Sequence, residues 1–252
     1  MISKAFLRQV RSLTKRKERD ASQLFVAEGP KLVGELLAVW QPVSVVAVRE
    51  WFAEWDGRLD NCVMRYIVTP DELSRISLQQ HPQQVVAIFR QPDNRWDNRF
   101  AKENLCLALD GIQDPGNLGT ICRVSDWFGI EHIVCSPDTA DIYNPKAVQA
   151  TMGAIARVAV HYDSLPPLLQ EAGTPVYGTF LQAESIYTQP LGHNGFIVMG
   201  NEGNGISALV EACVTRKLYI PNYPIGRNTT ESLNVAIATS IVCAEFRRRE
   251  PQ

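Results

Sequence analysis

Three separated stretches of this chain concentrate side chains suited to holding a ligand. They are D-G-I-Q-D-P-G-N-L-G-T-I-C-R at 110–123, I-V-M-G-N-E-G-N-G-I-S at 197–207, and Y-I-P-N with E-S-L-N-V-A at 219–236. Asn117 and Arg123 lie in the first, Glu202 in the second, Ser232 and Asn234 in the third. Each stretch places glycine, proline or small polar residues directly after a short apolar run. An α/β sheet ends its strands this way when the loops beyond them must grip a ligand. A single tight turn would not require three such endings, whereas a composite pocket would.

The elements that must position these loops follow from periodicity. In the first part of the chain, strands are expected at Leu24–Ala27, Val43–Val48, Val63–Val68 and Val85–Phe89. Helices are expected from Pro30 to about Val39 and after Thr69-Pro70-Asp71-Glu72, where threonine caps and proline occupies the first turn. Residues 91–103 are polar, contain a proline and lack periodicity, so they read as a linker with a boundary near residue 100. Beyond it, strands at Leu105–Leu109, His132–Cys135, Ala156–Val160, Val176–Thr179, Phe196–Met199 and Lys217–Ile220 alternate with helices. Those helices start near Asn117, Pro145, Leu165, Ser207 and Glu231. Mostly apolar strands between helices indicate a parallel sheet covered on both faces.

Each loop also has a local reading. Asn117 can cap the helix that ends at Phe128-Gly129, and Pro115-Gly116 forces the turn before it. Arg123 lies one turn beyond Gly119 and Thr120, and helical side chains lean toward the N-terminus, which would aim its guanidinium back at the loop. The turn residues need no ligand to explain them, but Arg123 does not help to make the turn. The second loop, spaced G-x-x-G-x-G, lets a ligand approach the backbone. Taken alone it reads as an ordinary glycine-rich turn. In the third, Thr230 and Ser232 suit a helix start, which leaves Asn234 over. Val235, Ile237, Ile241 and Val242 make that last helix apolar on nearly every side, so it should be heavily buried.

Residues 1–20 hold seven Lys and Arg against two acidic residues, in a chain whose net charge is −2. Ile2, Phe6, Leu7, Val10 and Leu13 fall at helical spacing, so this segment reads as one amphipathic basic helix. Concentrated positive charge on an otherwise acidic chain points to RNA. No apolar run is long enough to span a bilayer, and the basic start lacks the apolar block of a secretory signal. The six cysteines show no C-x-x-C pair and fall mostly in apolar runs. They read as buried hydrophobes in a cytoplasmic protein without disulfides or zinc.

Together, D-P-G-N-x-G-T-x-x-R, M-G-N-E-G-x-G and I-P with E-S-L-N-V resemble the three motifs of the SpoU (TrmH-type) RNA 2′-O-ribose methyltransferases of the SPOUT superfamily. F-V-A-E-G-P-K-L-V-x-E-L-L at 25–37 is similar to that family's small RNA-binding domain. The resemblance implies an α/β protein in two parts: a substrate-binding α/β domain at 1–95, then a parallel-sheet SPOUT domain with a deep trefoil knot at 104–249. It implies transfer of a methyl group from S-adenosylmethionine to a ribose 2′-hydroxyl of RNA, rRNA slightly favoured over tRNA, by a homodimer. The donor would lie against Gly178, Thr179, Met199, Gly200, Ile220 and Leu233. The catalytic set would be Asn117, Arg123, Glu202, Ser232 and Asn234. Because arginine stays protonated, Arg123 suits a cation that binds the adjacent phosphate and stabilises the developing alkoxide better than it suits a base. Glu202 or the phosphate would take the proton, while Asn117, Ser232 and Asn234 orient ribose and Arg123. The stretch from Asn222 to Thr230 is longer than the family's usual loop.

Two rival readings differ in class. A dinucleotide-dependent oxidoreductase would carry its glycine fingerprint after the first strand of the sheet, where D-G-I-Q-D-P-G-N stands instead. A non-catalytic RNA-binding homologue of the same fold would not need both Arg123 and Glu202.

Overall fold

A computed structural model describes residues 4–224, 227, 230 and 232–249. Ile2, Thr229 and Glu231, used in the sequence reading, lie outside the described residues. The chain divides into two compact units, residues 1–93 with 141–156, and 94–140 with 157–252.

The first unit is built on α1 (Lys4–Ser12), α2 (Arg16–Ser22), β1 (Leu24–Glu28), α3 (Pro30–Leu37), β2 (Ser44–Ala47), α4 (Arg49–Trp55), β3 (Met64–Ile67), α5 (Pro70–Ile76) and β4 (Val85–Arg90). Its sheet runs β1-β4-β2-β3, antiparallel except for the β2–β3 pair. The expected start of α5 forms in full: Thr69 Oγ1 accepts from Glu72 N–H at 3.2 Å and Glu72 Oε2 accepts from Thr69 N–H at 3.0 Å, a reciprocal capping box.

The basic N-terminus is two helices, not one. Lys15 is extended at φ −94°, ψ 129°, and the Leu13 carbonyl, which a continuous helix would use internally, accepts instead from Arg19 Nη1 at 2.8 Å. Arg19 is therefore not an RNA-facing cation. It is 1% exposed and paired with Asp141 at 2.5 Å. A buried pair of this kind leaves an uncompensated charge if one partner is removed, a loss of about 3–5 kcal/mol. Asp141 opens a segment, residues 141–156, that includes α8 (Pro145–Thr151) and packs on β1 within this first unit.

The second unit comprises α6 (Arg99–Glu103), β5 (Leu105–Asp110), α7 (Pro115–Trp127), β6 (His132–Cys135), β7 (Ala159–Tyr162), α9 (Leu165–Glu171), β8 (Val176–Ser185), β9 (Gly195–Gly200), α10 (Ala208–Glu211), β10 (Arg216–Tyr219) and α11 (Val235–Arg248). Its six strands are all parallel, in the order β10-β8-β9-β5-β6-β7. β5 is buried along its whole length, as an unbroken apolar strand flanked on both sides should be. β9 enters between β8 and β5, so the loops after β5 and β9, from distant parts of the chain, leave neighbouring strand ends.

Two expectations shift here. β7 starts at Ala159 rather than Ala156, because Met152 (φ 52°) and Gly153 (φ 99°) end α8 in left-handed conformations and a short 3₁₀ turn follows over Ala154–Ala156. Residues 94–103 are not a free linker. Trp96 and Phe100 pack on the apolar core of the second unit, and Phe100 stacks on His132 with ring centroids 3.7 Å apart.

Trp96 and Phe100 pack on a histidine pair, His132 Nδ1 lying 3.2 Å from His161 Nε2. Burial, with His132 as neighbour, pushes His161 down to about 4, and burial also lowers His132 despite Glu131 beside it. Below its ordinary value of 6.5, His161 takes up a proton in the unfolded chain but not in the folded one. Stability from this site is thus complete above about 6.5 and lost as pH falls toward 4. Urea unfolding across that range is expected to show a positive slope of stability with pH that His161→Phe flattens. Equal slopes for the two proteins would contradict the assignment.

Candidate active site

The first loop owes its shape to Asp114. Its Oδ1 accepts from Asn117 N–H at 2.9 Å, making Asp114 the cap of α7 and Pro115 its first residue. Asn117 is therefore not the cap, and its side chain is released for another task. Its Nδ2 donates to Glu202 Oε1 at 2.7 Å, and its Oδ1 accepts from Asn234 Nδ2 at 3.0 Å. One carboxamide thus ties together all three stretches singled out in the sequence.

The second loop is a closed turn stapled to β5. Asn201 and Gly205 exchange both backbone hydrogen bonds at 2.9 Å. Asn201 Oδ1 accepts from the N–H groups of Gly203 (2.9 Å) and Asn204 (3.0 Å), while Asn201 Nδ2 donates to the Gly111 carbonyl at 2.7 Å. Asp110 holds the far side, accepting from Ser207 N–H at 2.7 Å. Gly200 is obligatory for steric reasons, since a Cβ there would meet the Gly205 carbonyl carbon and Ile206 N at 2.3 Å. Glu202 is carried exposed at the tip of this turn.

The third loop ends at Asn234, which is not left over but caps α11. Its Oδ1 accepts from Ala236 and Ile237 N–H at 3.0 and 3.3 Å. α11 runs parallel to α7: Asn234 meets Asn117 at one end, and Arg247 donates to the Phe128 and Gly129 carbonyls at the other, at 2.7 and 2.9 Å. Contrary to expectation, α11 is buried on one side only. Val235 and Val242 are in the core, but Ile237 is 56% exposed.

Between these loops lies a cleft of about 470 Å³. Thr179, Met199, Gly200, Ile220 and Leu233 line it, and so do Glu202 and Ser232. Gly178 does not. It lies in β8, where a Cβ would meet the Phe180 ring and Val214 at 2.8 Å. Asn117 and Asn234 do not line the cleft; Asn117 is joined to its wall through the bond to Glu202, and Asn234 through the bond to Asn117. Arg123 is exposed on α7 and is not part of the cleft wall, and its guanidinium has no hydrogen-bond or ionic partner among the described residues.

Phe180, Leu181 and Glu211 also line the cleft and were not singled out in the sequence. They come with an excursion in β8. Gly178 pairs with Lys217 and Glu184 with Leu218, so residues 179–183 have no partner on β10, and Thr179, Phe180 and Leu181 among them line the cavity. Lys217 Nζ sits 4.7 Å from the centroid of the Phe180 ring and pairs with Glu211 at 2.5 Å. Apolar walls (Leu218, Ile220, Leu233, Val235) combined with the carboxylate of Glu202, Glu211 being neutralised by Lys217, fit a ligand that is part apolar and carries positive charge.

A parallel α/β sheet whose strand-end loops close one cleft is the frame of a ligand-binding protein of the α/β class. Residues 104–244 match the family model of the SpoU rRNA Methylase family, and residues 4–87 match the MRM3-like substrate binding domain. The chain belongs to the SpoU rRNA methylase family. It is 31% identical over 241 residues to the 23S rRNA (guanosine(2553)-2′-O)-methyltransferase RlmP of Bacillus subtilis (strain 168), a match that covers 94% of both chains. A solved TrmH-family structure from Porphyromonas gingivalis is 40% identical, with a TM-score of 0.89 over 99% of this chain and 100% of that one. An AdoMet-bound rRNA methyltransferase from Sinorhizobium meliloti is 29% identical, with a TM-score of 0.84 over 100% of this chain and 97% of that one. Membership in this family displaces the oxidoreductase reading.

Gly200→Ala tests the turn. The added methyl group meets backbone that cannot move aside, so a loss of about 1–3 kcal/mol is expected. Amide exchange at Asn201 and Gly205 should accelerate together with the drop in melting temperature. An unchanged exchange pattern would show that the turn does not depend on this contact.

Proposed function

We infer that this chain is an S-adenosylmethionine-dependent methyltransferase acting on a ribose 2′-hydroxyl of RNA, ribosomal rather than transfer RNA. The observation that carries this reading is the joining of Asn117, Glu202 and Asn234 at the rim of a cleft lined by five of the six residues expected to hold the donor. The donor, when bound, supplies a sulfonium-activated methyl group. Leu218, Ile220, Leu233 and Val235 shield it from water, and the carboxylate of Glu202 complements its positive charge.

A ribose hydroxyl is a weak nucleophile at neutral pH, so it must be aligned and relieved of its proton as transfer proceeds. Glu202, held by Asn117, accepts that proton. Arg123 binds the phosphate next to the target ribose and stabilises the alkoxide as it develops. Its exposure and lack of a partner among the described residues support this role, because a guanidinium committed to a structural ion pair would not be available. Ser232, exposed beside Leu233, orients the ribose. The knot implied by the resemblance is part of this reading, supported by the insertion of β9 between β8 and β5.

RNA is gripped by the first unit. Arg8 and Arg11 on α1, Arg16 and Lys17 on α2, and Lys15 between them are exposed, in the region that matches a substrate-binding domain. The active form is a homodimer. Ile237 on α11 (56% exposed) and Trp127 on α7 (85% exposed) are large apolar side chains on two adjoining helices, and a second copy would cover them. The protein works in the cytoplasm; six free cysteines suit a reducing compartment, and burial raises Cys106 and Cys243 to about 12, far from thiolate reactivity.

Arg123→Ala is expected to lower methyl transfer to RNA by about 100-fold or more while leaving S-adenosylmethionine affinity by calorimetry near that of the parent. Transfer at the parental rate would remove Arg123 from the mechanism, and absence of transfer by the parent to any rRNA fragment or tRNA would favour a non-catalytic RNA-binding protein. Charge reversal at Arg8, Lys15 and Lys17 should weaken RNA binding and flatten its dependence on salt, with donor affinity intact. Unchanged RNA affinity would leave α1 and α2 as a merely solvated surface.

A further inference from the structure

The hydrogen bonds linking Asn234, Asn117 and Glu202 have a direction, and α11 sets it. The first N–H groups of a helix have no partner within the helix, and Asn234 Oδ1 serves two of them, on Ala236 and Ile237. That oxygen is committed as an acceptor. The other end of the amide, Nδ2, is therefore the group that faces Asn117, and it donates to Asn117 Oδ1 at 3.0 Å. A carboxamide has one accepting and one donating end. With its oxygen facing Asn234, Asn117 turns its Nδ2 toward Glu202 Oε1, at 2.7 Å. No step in this sequence can be reversed without stripping the cap from α11. The backbone of Asn117 is equally fixed, its N–H bound to Asp114.

We propose that Asn234 is a positioning residue, which orients the Glu202 carboxylate for proton acceptance by dictating the polarity of the intervening Asn117 amide. The inference rests on the reading of Glu202 given above and extends it to how that carboxylate is held. Leu233 and Val235, which flank Asn234 in sequence, line the donor cleft. The residue that aims the carboxylate is thus continuous with the wall that seats the donor.

Asn234→Asp isolates this role. Aspartate caps helices as well as asparagine does, and its charge is favourable at a helix N-terminus. It has the same shape but no donor. In the variant, Asn117 satisfies the new carboxylate only by turning its Nδ2 that way, which sets its oxygen against Glu202. The expected result is an unchanged or raised melting temperature, donor affinity within about twofold of the parent, an unchanged KM for RNA, and kcat lower by roughly 10- to 100-fold, the cost of a lost bond to a charged group. In an Asn117→Ala background the same substitution should have no further effect on kcat, because no amide remains to relay polarity.

Parental kcat in Asn234→Asp would overturn the proposal. So would an equal loss in the Asn117→Ala background, or a loss confined to melting temperature or donor affinity. A readout independent of turnover separates this from failure of the wider reading. The side-chain amide resonances of Asn117 should shift on Glu202→Gln in the parent but not in Asn234→Asp. That pattern with full activity in Glu202→Gln would sustain the relay and sink Glu202 as proton acceptor; its absence sinks the relay itself.

Discussion

The carboxamide of Asn117 is the smallest object on which the rest of this molecule depends. It contacts one residue after β9 and one before α11, and its own backbone is fixed by the cap of α7. These positions are 85 and 117 residues away along the chain. Only the strand order of the second unit makes them neighbours. β9 lies beside β5, so the loops after both strands open at the same edge, and α11 packs alongside α7 with its first turn level with that edge. The sheet thus brings the residues near one another, and two helix caps then set their orientation.

The caps illustrate how local chemistry is shared out. Asp114 and Asn117 are both good capping residues three positions apart, and only one can serve α7. Aspartate takes the task, which releases asparagine to act as a bridge. At α11 a single residue does both: the oxygen of Asn234 closes the helix and its nitrogen reaches across. The cleft is assembled with similar economy. Its wall includes Thr179, Phe180 and Leu181, in the part of β8 that departs from the ladder with β10 without breaking the strand.

Much of this is legible in the residues. Each of the ten strands overlaps one expected from the sequence, β7 and β8 least well, and the start of α5 is explicit in Thr69-Pro70-Asp71-Glu72, because those signals are local. What cannot be read depends on partners far away. Arg19 looks like one more surface cation until Asp141 stands beside it. Trp96 and Phe100 are too sparse in a polar stretch to show a period, yet they fill a core. Phe180 and Leu181 carry no turn residue to mark the excursion they belong to. The side-chain partners of Asn117, Glu202 and Asn234, lie in no window around residue 117. Ile237 reads as buried in the sequence because an apolar side chain does not announce which face of its helix is covered.

Residues 141–156 carry a consequence for the chain as a covalent object. They leave the second unit after the strand β6, complete the packing around β1 in the first, and return to begin β7. No single scissile bond therefore separates the two units. A gene fragment ending at residue 93 would lack the carboxylate that neutralises Arg19, and one beginning at 94 would carry α8 without the surface it was made to cover. Recombination between relatives at such a junction would inherit the same mismatch, so the two halves are bound to change in step.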